Sequence, residues 1–155
     1  MNKDDFYKNI DKFFIKLEDK IEKVEEKEFA KVFGSNSAKK HKNIVYLWRC
    51  ENKIPRVSGE SDIIYIGQTK QSFSQRHLRY VNVETTSKAN KLKYSTIIEK
   101  YGAISIYVCD FSIFGENLLK AEGQLLWWYF QNHCEFPPVN YTSTRVRTDI
   151  FPKIL

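Results

Sequence analysis

A chain of 155 residues is long enough for one domain and too short for two ordinary ones, and its 42% hydrophobic content suits a packed core. No apolar run approaches the roughly 20 residues that span a bilayer, and the charged N-terminus has no signal-peptide core, so the expectation is a cytoplasmic protein with no membrane partner. The formal charge of +6 is lopsided: residues 1–33 hold eight Lys against nine Asp or Glu, whereas 34–100 hold thirteen Lys or Arg against five acids. A basic body on a near-neutral arm suggests a polyanionic partner, nucleic acid first, although a Lys-rich solvated surface gives the same composition.

In chain order, Phe6, Ile10, Phe13, Leu17, Ile21 and Val24 recur at the period of one helical face. They predict an amphipathic helix from Asp4 or Asp5, continued through Phe29, Val32 and Phe33 to Gly34. This N-terminal helical arm, 1–33, either packs on the domain or dimerises, and its few apolar positions favour packing. Residues 34–42 read as a linker whose cluster Ala38-Lys39-Lys40-His41-Lys42 either touches phosphates or is plain solvated loop.

Asn43 to Trp48 and Ile63 to Gly67 are β-branched and aromatic and predict two strands joined as an antiparallel hairpin. Ser72 to Tyr80 predicts a helix capped by Ser72, and Lys91 to Tyr101 another closed by Gly102. Ile104, Ile106 and Val108 alternate as a third strand, and a long helix from about Glu116 to His133 must stop before Pro137-Pro138. The predicted class is α+β, a small three-stranded antiparallel sheet flanked by helices. The last residues, 143–155, read as a basic C-terminal tail. Cys50, Cys109 and Cys134 lie in apolar runs without CxxC spacing, which predicts buried free thiols rather than disulfides or zinc.

Glu122 stands in a segment otherwise apolar enough for a core helix, so its carboxylate must be paired, coordinated, or at a cleft or helix edge. Arg76 and Arg79 form either an ordinary exposed helical face or, at Arg76, a planar guanidinium fork suited to a phosphate. Tyr46 and Tyr65, taken singly, are ordinary strand core residues. Glu51-Asn52-Lys53 lacks the preceding Asp of a restriction-type site, and the scattered His41, His77 and His133 do not make an HNH site.

Taken together, Val45-Tyr46 in strand one, Tyr65-Ile66-Gly67 in strand two, Arg76 eleven residues later, Glu122 on a later helix and Asn140 after Pro137-Pro138 resemble the GIY-YIG nuclease family. The resemblance spans residues 43–142 as a nuclease domain. It implies a metal-dependent endonuclease that hydrolyses phosphodiester bonds of double-stranded DNA, of restriction or of phage and mobile-element type. The alternative is a catalytically inactive DNA-binding module of the same fold. The resemblance implies that Tyr46 assists or acts as general base and that Tyr65 hydrogen-bonds within the site. Arg76 would grip the scissile phosphate, Glu122 would bind one Mg²⁺ (or Mn²⁺), Asn140 would support the site, and Tyr80 stands where the family places His or Tyr. Lys70, His77, Arg79, Lys53 and Arg56 are the further candidate DNA contacts. The family's first-motif Gly is replaced in Ile44-Val45-Tyr46, and the loop from Tyr46 to Tyr65 is longer than usual for the family. Cutting both strands needs two sites, so the expected partner besides DNA is a second copy, as a homodimer or higher homo-oligomer.

Overall fold

The computed structural model describes residues 3–140, so the tail at 143–155 lies outside it. The helices are α1 (Phe6–Phe13), α2 (Glu26–Phe33), α3 (Asn36–Lys40), α4 (Phe73–His77), α5 (Val81–Thr86), α6 (Lys88–Tyr101) and α7 (Leu118–His133). The strands are β1 (Ile15–Ile21), β2 (Ile44–Pro55), β3 (Glu60–Thr69) and β4 (Ile104–Asp110). They form one four-stranded sheet in the order β1-β4-β2-β3, antiparallel at every junction. No helix among the described residues is long and apolar enough to cross a membrane.

The class is α+β, as the patterning predicts, but the sheet has one strand more. The segment expected to be a single helix through residue 33 is helix, strand, helix. Leu17 and Ile21 are four apart, a spacing shared by a helical face and by one face of a strand. Here they point into the core from β1, while Ile15, Glu18 and Lys20 face solvent. β1 lies against β4 with a bulge between Lys16 and Lys20. Phe14, extended and buried after α1, makes the break. The expected linker likewise holds α3, N-capped by Ser35, whose Oγ accepts from the Ala38 N–H at 3.2 Å.

Both faces of the sheet are covered. On one, Tyr46, Trp48, Ile64, Ile104 and Ile106 pack with Phe29 and Phe33 of α2, Phe73 of α4 and Tyr94 of α6. On the other, Val45, Leu47, Ile63 and Ile66 pack with Phe6 and Ile10 of α1 and with Ala121, Leu125 and Tyr129 of α7. Side chains of this size each stabilise by about 1.5–3 kcal/mol when fully buried. The apolar stripe of the N-terminal segment is therefore spent on its own chain. Cys50 and Cys109 are buried free thiols, pushed up by burial to about 11 and about 12. Cys134 departs from expectation: it ends α7 in a left-handed conformation (φ 57°) and is exposed.

The long hairpin loop is strapped down. The Arg56 guanidinium lies 2.8 Å from the Glu135 carboxylate and donates to the Phe136 carbonyl at 2.9 Å, just past α7. The Ser58 N–H donates to the His133 carbonyl at 3.1 Å. These ties hold β3 alongside α7.

Candidate active site

Tyr46 and Gly67 are direct partners across the β2–β3 ladder. A Cβ on Gly67 would stand 2.5–2.7 Å from the Tyr46 ring and hydroxyl, so the phenol occupies the room that glycine leaves. The ring is held by Phe73 and His77, at centroid distances of 5.2 and 4.9 Å, and stacks on Tyr65 at 6.0 Å. Tyr46 is fully buried, and burial raises its pKa well above the ordinary range for tyrosine, with Arg76 opposing only in part. Tyr65, half-buried, lines the cleft, and burial, then the Glu122 charge, raise its pKa as well.

α4 is short and needs its cap. Ser72 Oγ accepts from the Gln75 N–H at 3.1 Å while Gln75 Oε1 accepts from the Ser72 N–H at 3.2 Å, a complete capping box. That turn aims Arg76, His77 and Tyr80 into a cleft of about 330 Å³ shared with Trp48, Tyr65 and Glu84. Arg76 forms no ion pair among the described residues, and its guanidinium lies 5.5 Å from the Tyr80 ring centroid. Arg79 lies over the same ring at 5.0 Å. A guanidinium with its fork unspent is the form that binds phosphate.

Glu122 approaches from the opposite face of the sheet, beside the buried Ala121–Leu125–Tyr129 stripe of α7. It is half-buried and makes no ion pair among the described residues, and burial pushes its carboxyl up. Its charge is felt by both Tyr46 and Tyr65, and so is that of Arg76. The four side chains thus lie within electrostatic reach of one another around edge strand β3, with Glu122 outside the lining of the Arg76 cleft.

Asn140 supports that strand rather than facing the cleft. Its Oδ1 accepts from the Ile66 N–H at 2.9 Å and its Nδ2 donates to the Ile66 carbonyl at 2.8 Å. Ile66 stands between Tyr65 and Gly67, so this two-point clamp fixes both. The neighbouring Val139 N–H donates to the Ile64 carbonyl at 2.8 Å.

Other candidates are placed differently. His77 is buried against Phe73 at 4.3 Å, and burial, helped by Arg76, holds its pKa down at about 3, so it is neutral and cannot serve as a cation for DNA. Arg56 is committed to Glu135, with its side chain only 10% exposed, because the long loop folds back on α7. Lys53 is exposed near Glu60 (3.9 Å). Lys70 is exposed at the end of β3. Glu84, which no pattern in its segment singles out, lines the cleft; burial raises its pKa against a Tyr94 hydrogen bond, and its Oε2 has no partner among the described residues.

No group of three or more His, Cys, Asp or Glu among the described residues could enclose a metal, so a closed tetrahedral site is not built there. A hard cation that keeps most of its waters needs only one or two carboxylates. Glu122, half-buried, raised by burial and without a counter-ion, fits that single-ligand role. Compared with protein families, with curated proteins and with solved structures, the chain finds no match in any of the three.

Proposed function

We propose that the chain is a metal-dependent endonuclease of the GIY-YIG type that hydrolyses phosphodiester bonds in double-stranded DNA, as a restriction-type or phage and mobile-element enzyme. The observation that carries the reading is that Tyr46, Tyr65, Arg76 and Glu122 lie within electrostatic reach of one another around β3, with Gly67 making room for Tyr46 and Asn140 clamping the strand. A structural core would not leave an unpaired guanidinium and an unpaired carboxylate near two stacked phenols.

In this reading Arg76 takes the non-bridging oxygens of the scissile phosphate and stabilises charge as it develops. Glu122 would hold the Mg²⁺ or Mn²⁺, which when bound supplies Lewis-acid stabilisation of the phosphate and the leaving oxygen. The tyrosine roles differ from those the family resemblance implies. A free phenol already costs roughly 4 kcal/mol to ionise at neutral pH, from a pKa near 10 at 1.36 kcal/mol per unit, and burial adds to that cost for Tyr46. Tyr46 therefore stays a neutral, fixed phenol whose ring holds Tyr65 in place by stacking. Tyr65 is the phenol that faces the cleft and can accept or direct a proton of the attacking water. Tyr80, set between two guanidiniums, restrains Arg76.

The test is conversion of supercoiled plasmid to nicked and linear forms. The proposal expects conversion with Mg²⁺ or Mn²⁺ and none with EDTA. Binding of DNA without cleavage under any metal would leave the fold as a silent DNA-binding module.

A further inference from the structure

α4 separates two clefts. Arg76, His77 and Tyr80 face the one already described, while Ser74, Gln75, Leu78 and Arg79 face an open cleft of about 590 Å³ whose other wall carries Lys39 and Lys42. Among the described residues, no carboxylate lines this second cleft. Lys39 is held in place by α3, anchored by buried Ala38. Lys42 sits at the open end of the β2–β3 hairpin, where the Asn43 N–H donates to the Lys70 carbonyl at 3.1 Å, which brings a fourth cation, Lys70, to the same end of the sheet.

Among the described residues, Lys20, Arg49, Arg56 and Lys120 have carboxylate partners at 2.8–3.1 Å. Lys39, Lys42, Lys70 and Arg79 make no ion pair with a described residue. Lys40, Lys91 and Lys100 also make no ion pair with a described residue, but Lys39, Lys42 and Arg79 share one cleft next to Arg76. A concave surface carrying charge of one sign raises the local concentration of a polyanion.

We infer that the cleft between α3 and α4 is a track for a nucleic-acid backbone, in which Lys39, Lys42 and Arg79, with Lys70 at its end, neutralise the phosphates flanking the one held by Arg76. The inference rests on the nuclease reading and extends it from the reacting phosphate to the adjoining strand. It also places the DNA contact away from the Lys53–Arg56 loop.

The test measures DNA affinity against salt concentration for a duplex of about 20 base pairs, using Glu122→Gln protein so that no cleavage intervenes. Three phosphate contacts contribute about 2.7 to the slope of log K against log salt, at about 0.9 each. The triple variant Lys39→Gln, Lys42→Gln, Arg79→Gln should lose about that much slope and bind at least tenfold more weakly. A control triple at Lys12, Lys31 and Lys120 should keep the native slope. Equal losses in both triples, an unchanged slope in the first, preference for anionic vesicles over duplex, or no DNA binding at all would each overturn the track. Native protein that cleaves plasmid while the slope stays unchanged would remove the track and leave the nuclease reading standing. A slope that falls as expected in a protein that never cleaves would do the reverse.

Discussion

The Tyr46 ring fills the space where a Gly67 side chain would begin, at 2.5–2.7 Å from an added Cβ. The two residues face each other across a ladder, so the glycine of strand β3 exists for the tyrosine of strand β2. The ring has no room to retreat, being walled by Phe73, His77 and Tyr65. Gly67→Ala should therefore cost about 1–3 kcal/mol of stability, as overpacking does, and reduce cleavage well beyond the unfolded fraction. Thermal melts paired with single-turnover cleavage measure both. A stable, fully active alanine variant would show that the contact is not needed.

Tyr46 is fully buried whereas Tyr65 lines the cleft, so the two phenols should not be equivalent to mutation. Tyr65→Phe removes the hydroxyl that faces the cleft and should lower the cleavage rate by roughly 10²–10⁴-fold, the usual scale of acid–base assistance. Tyr46→Phe removes only a buried hydroxyl away from the cleft and should cost less. The reverse order in cleavage rates would restore Tyr46 as the reacting phenol.

Asn140→Ala deletes both bonds of the Ile66 clamp, leaving two backbone groups of the edge strand to find water. A loss of about 1–3 kcal/mol follows, with cleavage reduced through a displaced Tyr65. Because Asn140 does not hold the metal in this account, the Mg²⁺ concentration for half-maximal rate should stay unchanged. A large shift in that midpoint would make Asn140 a metal ligand instead.

His77 predicts a pH dependence of stability. Its pKa is about 3 in the fold against an ordinary 6.5, so below about pH 6.5 the unfolded chain takes up a proton that the folded chain refuses. The stability due to neutral His77 is complete above about pH 6.5 and is lost as pH falls towards 3. Between pH 7 and pH 5 this is on the order of 1–2 kcal/mol. Urea unfolding at the two pH values should show that loss in native protein and a smaller one in His77→Phe. Parallel behaviour of the two proteins would mean His77 charges freely.

Much of this architecture is readable from residue order alone. The alternation of Ile104, Ile106 and Val108, the Ser72 cap and Gly102 (φ 92°) at the end of α6 are local signals, and each stands where the pattern predicts. β1 is not readable in the same way, because Leu17 and Ile21 satisfy both a helix and a strand and only pairing with β4 decides. Arg56 looks like a free cation until the long loop meets Glu135, a partner from the far end of α7. The residue types at the candidate site are visible in the sequence. Burial of Tyr46, the clamp on Ile66 and the grouping of Lys39 with Arg79 depend on tertiary packing.

The most direct measurement compares native protein with Glu122→Gln in two assays, plasmid cleavage in Mg²⁺ and thermal melting in EDTA. Burial raises the Glu122 carboxyl, so at neutral pH the fold bears the cost of keeping it ionised, and the neutral amide relieves that cost. The account predicts that Glu122→Gln loses cleavage entirely while its melting temperature rises. A variant that cleaves at the native rate would contradict the assignment of Glu122 as the metal ligand, and with it the central claim.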